Sequence, residues 1–148
     1  LTSGYLLDTS VLSALAPGRP DRGEVLSSWL LVTLPRLHVS TITVFEIVQG
    51  LEKLRRTGAV SRADANAGWL EASLARFGDR VLPVDTDVAR RAGRLADWAV
   101  GRGVNPGAPD VIIAATAVVH DLTLLTYNLK HFAPLEIGAI DPTAGLPR

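Results

Sequence analysis

Short, unbroken apolar runs alternate along this chain with longer stretches in which apolar residues recur every three or four positions. The first pattern suits strands covered on both faces, the second helices with one face on a core. Tyr5 to Leu7 is the first such run, and Asp8-Thr9-Ser10 after it is a helix start that Pro17-Gly18 interrupts. A second helix is predicted from Glu24 to about Leu34, with Leu26, Trp29 and Leu30 on one face. Leu37 to Val39 reads as the next strand. Ser40-Thr41 then opens a helix striped by Val44, Ile47, Val48, Leu51 and Leu54 and ended by Gly58.

Ser61 with Asp64 resembles a capping box for a helix bearing Ala63, Ala67, Leu70, Leu74 and Phe77. Val81 to Val84 is a third strand, and Asp85 caps a helix with Val88, Ala92, Leu95, Ala96 and Ala99 inside and Arg90, Arg91 and Arg94 outside. Residues 105–120, NPGAPDVIIAATAVVH, run from a Pro/Gly loop into a helix that is apolar on every side. Leu122 to Thr126 is a fourth strand, and Leu135 to Ile137 a fifth at an edge. Strands alternating with helices imply right-handed crossovers and an α/β fold with a mainly parallel, about five-stranded sheet flanked by helices. With no repeat and no linker, one domain is expected over residues 1–148. Ligands of such sheets sit beyond the carboxyl ends of the strands, so functional residues should follow strands.

Composition narrows the chemistry more than it widens it. The 148 residues are 47% hydrophobic, enough for a sizeable core, and Lys plus Arg equal Asp plus Glu at 15 each, so no global positive field marks a nucleic-acid binder. Without cysteine there are no disulfides, zinc-thiolate sites or thiol nucleophiles. The apolar runs fall short of the ~20 residues that span a bilayer, so no membrane association and a cytoplasmic location are expected.

Three acids stand out, each with an ordinary structural alternative. Asp8 follows a strand and can be an N-cap. Glu46, three residues after Thr43, can complete a capping box or be a solvated glutamate off the apolar stripe. Asp110 follows Pro109 in a first helical turn, where the helix dipole favours an acid. All three are expected at helix N-termini, which a doubly wound sheet gathers at one edge. If they converge, carboxylates ~4 Å apart repel by roughly 4 kcal/mol at an effective dielectric of 20, and a cation is needed. Oxygen donors without Cys or His select Mg²⁺ or Mn²⁺ over zinc.

In YLLDTSVLSAL, VSTITVFEIVQGL, LPVDTDVARRAGRLA and PDVIIAATAVVHDLTLLTYNLKHF, occurring in that order over nearly the whole chain, the sequence resembles the PIN-domain ribonucleases, and more narrowly the VapC-type toxins of VapBC toxin-antitoxin modules. The resemblance implies a three-layer α/β/α fold, a Mg²⁺-dependent endoribonuclease acting on RNA, a VapB-type antitoxin partner and a homodimer. It assigns catalytic and metal-binding roles to Asp8, Glu46 and Asp110 and a fourth, uncharged position to Asn128. Thr9, Ser10 and Thr126 match small polar residues lining such sites, with capping and strand-end hydrogen bonding as the alternative.

The common family stretch T-R-N-x-x-D-F is here TYNLKHF, with Tyr127 for the arginine and His131 for the aspartate. His131 is a candidate for contacting substrate phosphate or moving a proton, or is simply solvated. Arg19, Arg22, Lys53, Arg55, Arg56 and Lys130 are candidates for tracking RNA phosphates. Trp29, Leu30, Phe45 and Leu54 are candidates for an antitoxin groove, with core packing the alternative. Two rival functions remain: a non-catalytic interaction module whose acids only cap helices, and an aspartate-nucleophile phosphatase. The second would want an aspartate at position 10, where Ser10 stands.

Overall fold

The computed structural model describes residues 3–20 and 24–148. Five parallel strands, β1 (Gly4–Leu7), β2 (Leu37–Ser40), β3 (Val81–Leu82), β4 (Leu122–Leu125) and β5 (Ala139–Ile140), form one sheet in the order β3-β2-β1-β4-β5. Among the described residues seven α-helices cover it: α1 (Thr9–Ser13), α2 (Glu24–Thr33), α3 (Thr41–Arg56), α4 (Val60–Phe77), α5 (Thr86–Gly101), α6 (Ala108–Val119) and α7 (Leu129–Phe132). This is the expected α/β/α arrangement.

β1 is the central strand and all four of its residues are buried, which is why its sequence shows no polar alternation. Its pleat divides the core. Tyr5 and Leu7 pack with Leu12, Leu30, Ile47, Leu51 and Leu70 of α1 to α4, whereas Leu6 packs with Ala99 of α5 and Ile113, Ala114 and Ala117 of α6. Close chain approach explains Gly4, where a Cβ would lie 2.5 Å from the carbonyl oxygen of Arg36, the residue just before β2. Helix α6 is buried on nearly every side, from Val111 to Ala117, so it is a central post and not a surface helix.

Several expectations need correction. The edge strand is Ala139–Ile140, because Ala133–Leu135 forms a 3₁₀ turn that delays the chain's return to the sheet. The third strand stops at Leu82. The Ser61/Asp64 capping box does not form: Ala59 is the N-cap of α4 and makes no side-chain bond, while Asp64 pairs with Arg55 across the α3–α4 turn at 2.5 Å. The inner stripe of α3 is Thr43, Ile47 and Leu51, and Val48 is 41% exposed. Packing against both α4 and α6 turns the helix toward its polar threonine. Asp85 caps α5 as expected, accepting from Val88 N at 2.9 Å.

Candidate active site

From β1 the sheet is built outward in both directions, so a crevice opens between the carboxyl ends of β1 and β4. Asp8 and Thr126 stand at its floor, each the first residue beyond its strand, and the Leu7–Leu125 register sets them side by side. The Asp8 amide donates to Leu125 O at 2.9 Å. Asp8 is both the N-cap of α1 and only 4% exposed, so the capping alternative and the site reading hold together.

Three donors hold its carboxylate. Thr9 N donates to Oδ1 at 2.8 Å, while Ser10 Oγ and Thr126 Oγ1 donate to Oδ2 at 2.8 and 2.7 Å. Each of those hydroxyls in turn accepts a backbone N–H, Ser10 from Tyr127 at 3.2 Å and Thr126 from Asn128 at 2.9 Å. A carboxylate offers about four acceptor positions. One acceptor position on Oδ1 therefore has no donor among the described residues.

Glu46 enters from α3. It lies in the second turn of that helix, whose N-cap is Ser40, so it neither completes a capping box nor stands at a helix N-terminus. With the inner stripe rotated onto Thr43, the glutamate flanks the buried face and is half-buried. Thr9 Oγ1 is 2.7 Å from Glu46 Oε1 and 3.1 Å from Thr43 Oγ1. A hydroxyl has one proton, so Thr9 donates to the carboxylate and accepts from Thr43. Thr43, fully buried, is the site residue that sequence reasoning missed; its signal was a polar side chain one turn before Ile47 on the inner face.

Asp110 projects from the first turn of α6, after Pro109, as expected. Burial chiefly raises its carboxyl above the ordinary 3.8, the Asp8 charge adds to the rise, and His131 opposes it. Burial likewise raises Glu46 above its ordinary 4.5; the Thr9 hydroxyl opposes that rise, and the charges of Asp8 and Asp110 add to it. Each of these two acids thus feels Asp8, which places all three in one electrostatic neighbourhood.

His131 Nδ1 lies 3.5 Å from Asp110 Oδ2, so it is a neighbour of the acids and not merely a solvated histidine. Asn128 is the N-cap residue of α7; its side chain is exposed and makes no cap bond, and only its backbone amide is tied into the site, through Thr126. Tyr127 packs against the core. Of the basic candidates, Arg55 is engaged by Glu52 and Asp64, and Arg22 lies outside the described residues. Trp29 and Leu30 belong to the core, whereas Phe45 is 57% exposed.

Among the described residues no three His, Asp or Glu side chains form a ready cage for one ion. The donor set still fits a hard cation that keeps water: oxygen atoms only, an acceptor position on Asp8 without a donor among the described residues, and two carboxyls whose ionisation is resisted by burial and mutual charge. Mg²⁺ is commonly held in this way, by one or two carboxylates with water completing the shell.

The PIN domain model matches residues 5–134. This chain belongs to the PIN-domain family. Among its PIN relatives, Toxin FitB of Neisseria gonorrhoeae is 33% identical over 139 residues, covering 93% of this chain and 96% of FitB. VapC ribonuclease Y4jK of Sinorhizobium fredii is 32% identical over 142 residues, covering 93% and 96%. In structure, FitAcB from Neisseria gonorrhoeae matches with a TM-score of 0.80 at 33% identity over 94% of this chain and 98% of that one. DNA-bound VapBC from Salmonella typhimurium matches at 0.79 and 25% identity over 93% and 97%. The PIN chain is thus of the VapC type. Among the described residues no helix is long and apolar enough to cross a membrane.

Proposed function

We propose that this PIN-domain chain is a Mg²⁺-dependent endoribonuclease, with Mn²⁺ as a substitute, and the toxin of a toxin-antitoxin pair. Its partner is a VapB-type antitoxin, and it works in the cytoplasm as a homodimer. The observation that carries the reading is the gathering of Asp8, Glu46 and Asp110 at the β1–β4 crevice, two of them with raised carboxyl pKa. The names of its relatives, a toxin and a VapC ribonuclease, and a structural neighbour that is a VapBC complex agree with it.

Asp8, Glu46 and Asp110 would hold the ion, which when bound supplies positive charge to phosphate oxygens and makes water more acidic. Asp8 is the fixed point, its carboxylate clamped by Thr9, Ser10 and Thr126. Glu46 is placed to act as the base, because the Thr9 hydroxyl keeps Oε1 in position beside the other two acids. It takes a proton from the attacking water as the water oxygen bonds to phosphorus. The phosphorus bond to the departing nucleoside oxygen then breaks, and that oxygen takes a proton from solvent. Asp110 keeps its position because α6 is a packed post. His131, beside Asp110, and Asn128, whose amide is tied to Thr126, add no negative charge to the acids.

The test uses the purified chain, free of antitoxin, incubated with total RNA in Mg²⁺, Mn²⁺ or EDTA. Cleavage is expected with either metal, none in EDTA and none from Asp8→Asn. A folded chain that cuts nothing with either metal overturns the reading, as does growth toxicity that Asp8→Asn leaves unchanged.

A further inference from the structure

A groove of about 290 Å³ runs away from the acids between α1, α3 and α4, and its near end is Glu46 itself. Arg19 and Arg62 border it, both exposed, and neither forms an ion pair with any described residue. Its walls include Leu54 and the half-buried Trp69. Asn66 also lines it. That asparagine is only 7% exposed, and its side-chain carbonyl oxygen has no hydrogen-bond partner.

An orphaned amide oxygen in a buried position is destabilising, and helix α4 would be better served there by an apolar residue. Three features of the groove suit one kind of occupant. Two guanidinium groups suit phosphate, a flat indole wall suits a base face, and a buried amide suits the hydrogen-bonding edge of a base. The groove is also continuous with a catalytic acid, so whatever occupies it adjoins the reacting phosphate.

We propose that this groove holds a nucleotide of single-stranded RNA next to the scissile phosphate. Arg19 and Arg62 take the backbone phosphate, Trp69 carries the base, and a small rotation of Asn66 presents its amide to the base edge. The proposal rests on the ribonuclease reading of the adjoining acids and adds to it a subsite that gives base preference. A base must leave any duplex stack to enter, so the substrate is unpaired RNA.

The test measures binding of fluorescein-labelled 12-nucleotide poly(A), poly(C) and poly(U) in EDTA, where cleavage does not intervene, over a range of salt. Arg19→Ala and Arg62→Ala are each expected to weaken binding about fivefold to tenfold and to reduce the salt slope by about 0.7, the single-strand value for one phosphate contact. Asn66→Leu is expected to level the preference among the three oligonucleotides. In Mg²⁺ it should broaden the set of cut sequences. If Asn66 is only a structural flaw, Asn66→Leu raises the melting temperature and changes neither ranking nor cut sites, which overturns the base-reading role. If the exposed arginine variants also bind as wild type at every salt concentration, or wild type binds none of the oligonucleotides, the whole proposal falls. It also falls if the substitutions spare RNA binding but weaken the antitoxin's, which makes the groove a protein-docking face. RNA bound in EDTA but uncut in either metal refutes the ribonuclease reading and leaves the subsite standing. RNA cut equally well by wild type and all three variants does the reverse.

Discussion

Thr126→Val tests whether the Asp8 carboxylate is held by its neighbours or merely sits among them. Valine keeps the shape of the fully buried threonine and removes one hydroxyl that does two things. It donates to Asp8 Oδ2 at 2.7 Å and accepts the Asn128 amide at 2.9 Å. A hydrogen bond to a charged group is worth about 1.5–3 kcal/mol, and the amide, beside an exposed residue, can regain a water partner. The expected loss is therefore about 2 kcal/mol, which in a domain of this size lowers the melting temperature by about 4–8 °C. Because the carboxylate also loses one of its two hydroxyl anchors, RNA cleavage should fall about tenfold, equivalent to roughly 1.4 kcal/mol of lost transition-state stabilisation. Thr116→Val is the matched control. That hydroxyl is equally buried but donates to Ile112 O within its own helix at 2.8 Å, far from any carboxylate in the hydrogen-bond network. Its loss should cost under about 1 kcal/mol. Thermal melts and initial cleavage rates of the two variants decide the matter. If Thr126→Val melts within about 2 °C of Thr116→Val and cuts RNA at the wild-type rate, the clamp contributes nothing and the reasoning is wrong.

Glu46 carries a raised pKa, so between its ordinary value of 4.5 and the raised one the folded state holds a proton that the unfolded chain has released. Stability of the metal-free protein should then fall as pH rises through that window, with the full cost present above it; melts in EDTA should show a flatter pH dependence for Glu46→Gln than for wild type, and Mg²⁺ should flatten the wild-type curve. His131→Asp places an acid where an imidazole now lies 3.5 Å from Asp110. It should tighten Mn²⁺ binding severalfold by calorimetry while lowering the metal-free melting temperature, since repulsion replaces the contact that opposes the rise in the Asp110 pKa. Gly4→Ala forces a Cβ to within 2.5 Å of the Arg36 carbonyl oxygen, a backbone atom that cannot swing aside. A loss of about 2 kcal/mol or more is expected on chemical denaturation, with cleavage by the surviving folded fraction unchanged.

The alternation of apolar runs and helical stripes was enough to read the parallel sheet and the order of its elements, because strands buried on both faces and helices packed on one face must write those periods into the chain. It also located Asp8 and Asp110, since both stand directly where a strand ends or a helix begins. The family motifs added Glu46, whose place on its helix the apolar stripe alone misjudged: Val48 looked inward by composition, yet packing of α3 between α4 and α6 buries Thr43 instead and brings Glu46 to the edge of the site. Rotation of a helix about its axis depends on its neighbours, and no local period reports it. The same holds for the hydroxyls. Thr9, Ser10 and Thr126 were legible as small polar residues at element ends, but that two of them share one carboxylate oxygen while the third bridges to Glu46 follows only from the β1–β4 register and the approach of α3. His131 was ambiguous as a letter in TYNLKHF and became a neighbour of Asp110 only when α7 returned toward α6. Sequence by itself determined which groups are present and which end of each element carries them, because those are consequences of local chemistry. Tertiary structure decided which of them meet, because convergence depends on strand order, register and helix rotation, all set by contacts between residues far apart in the chain.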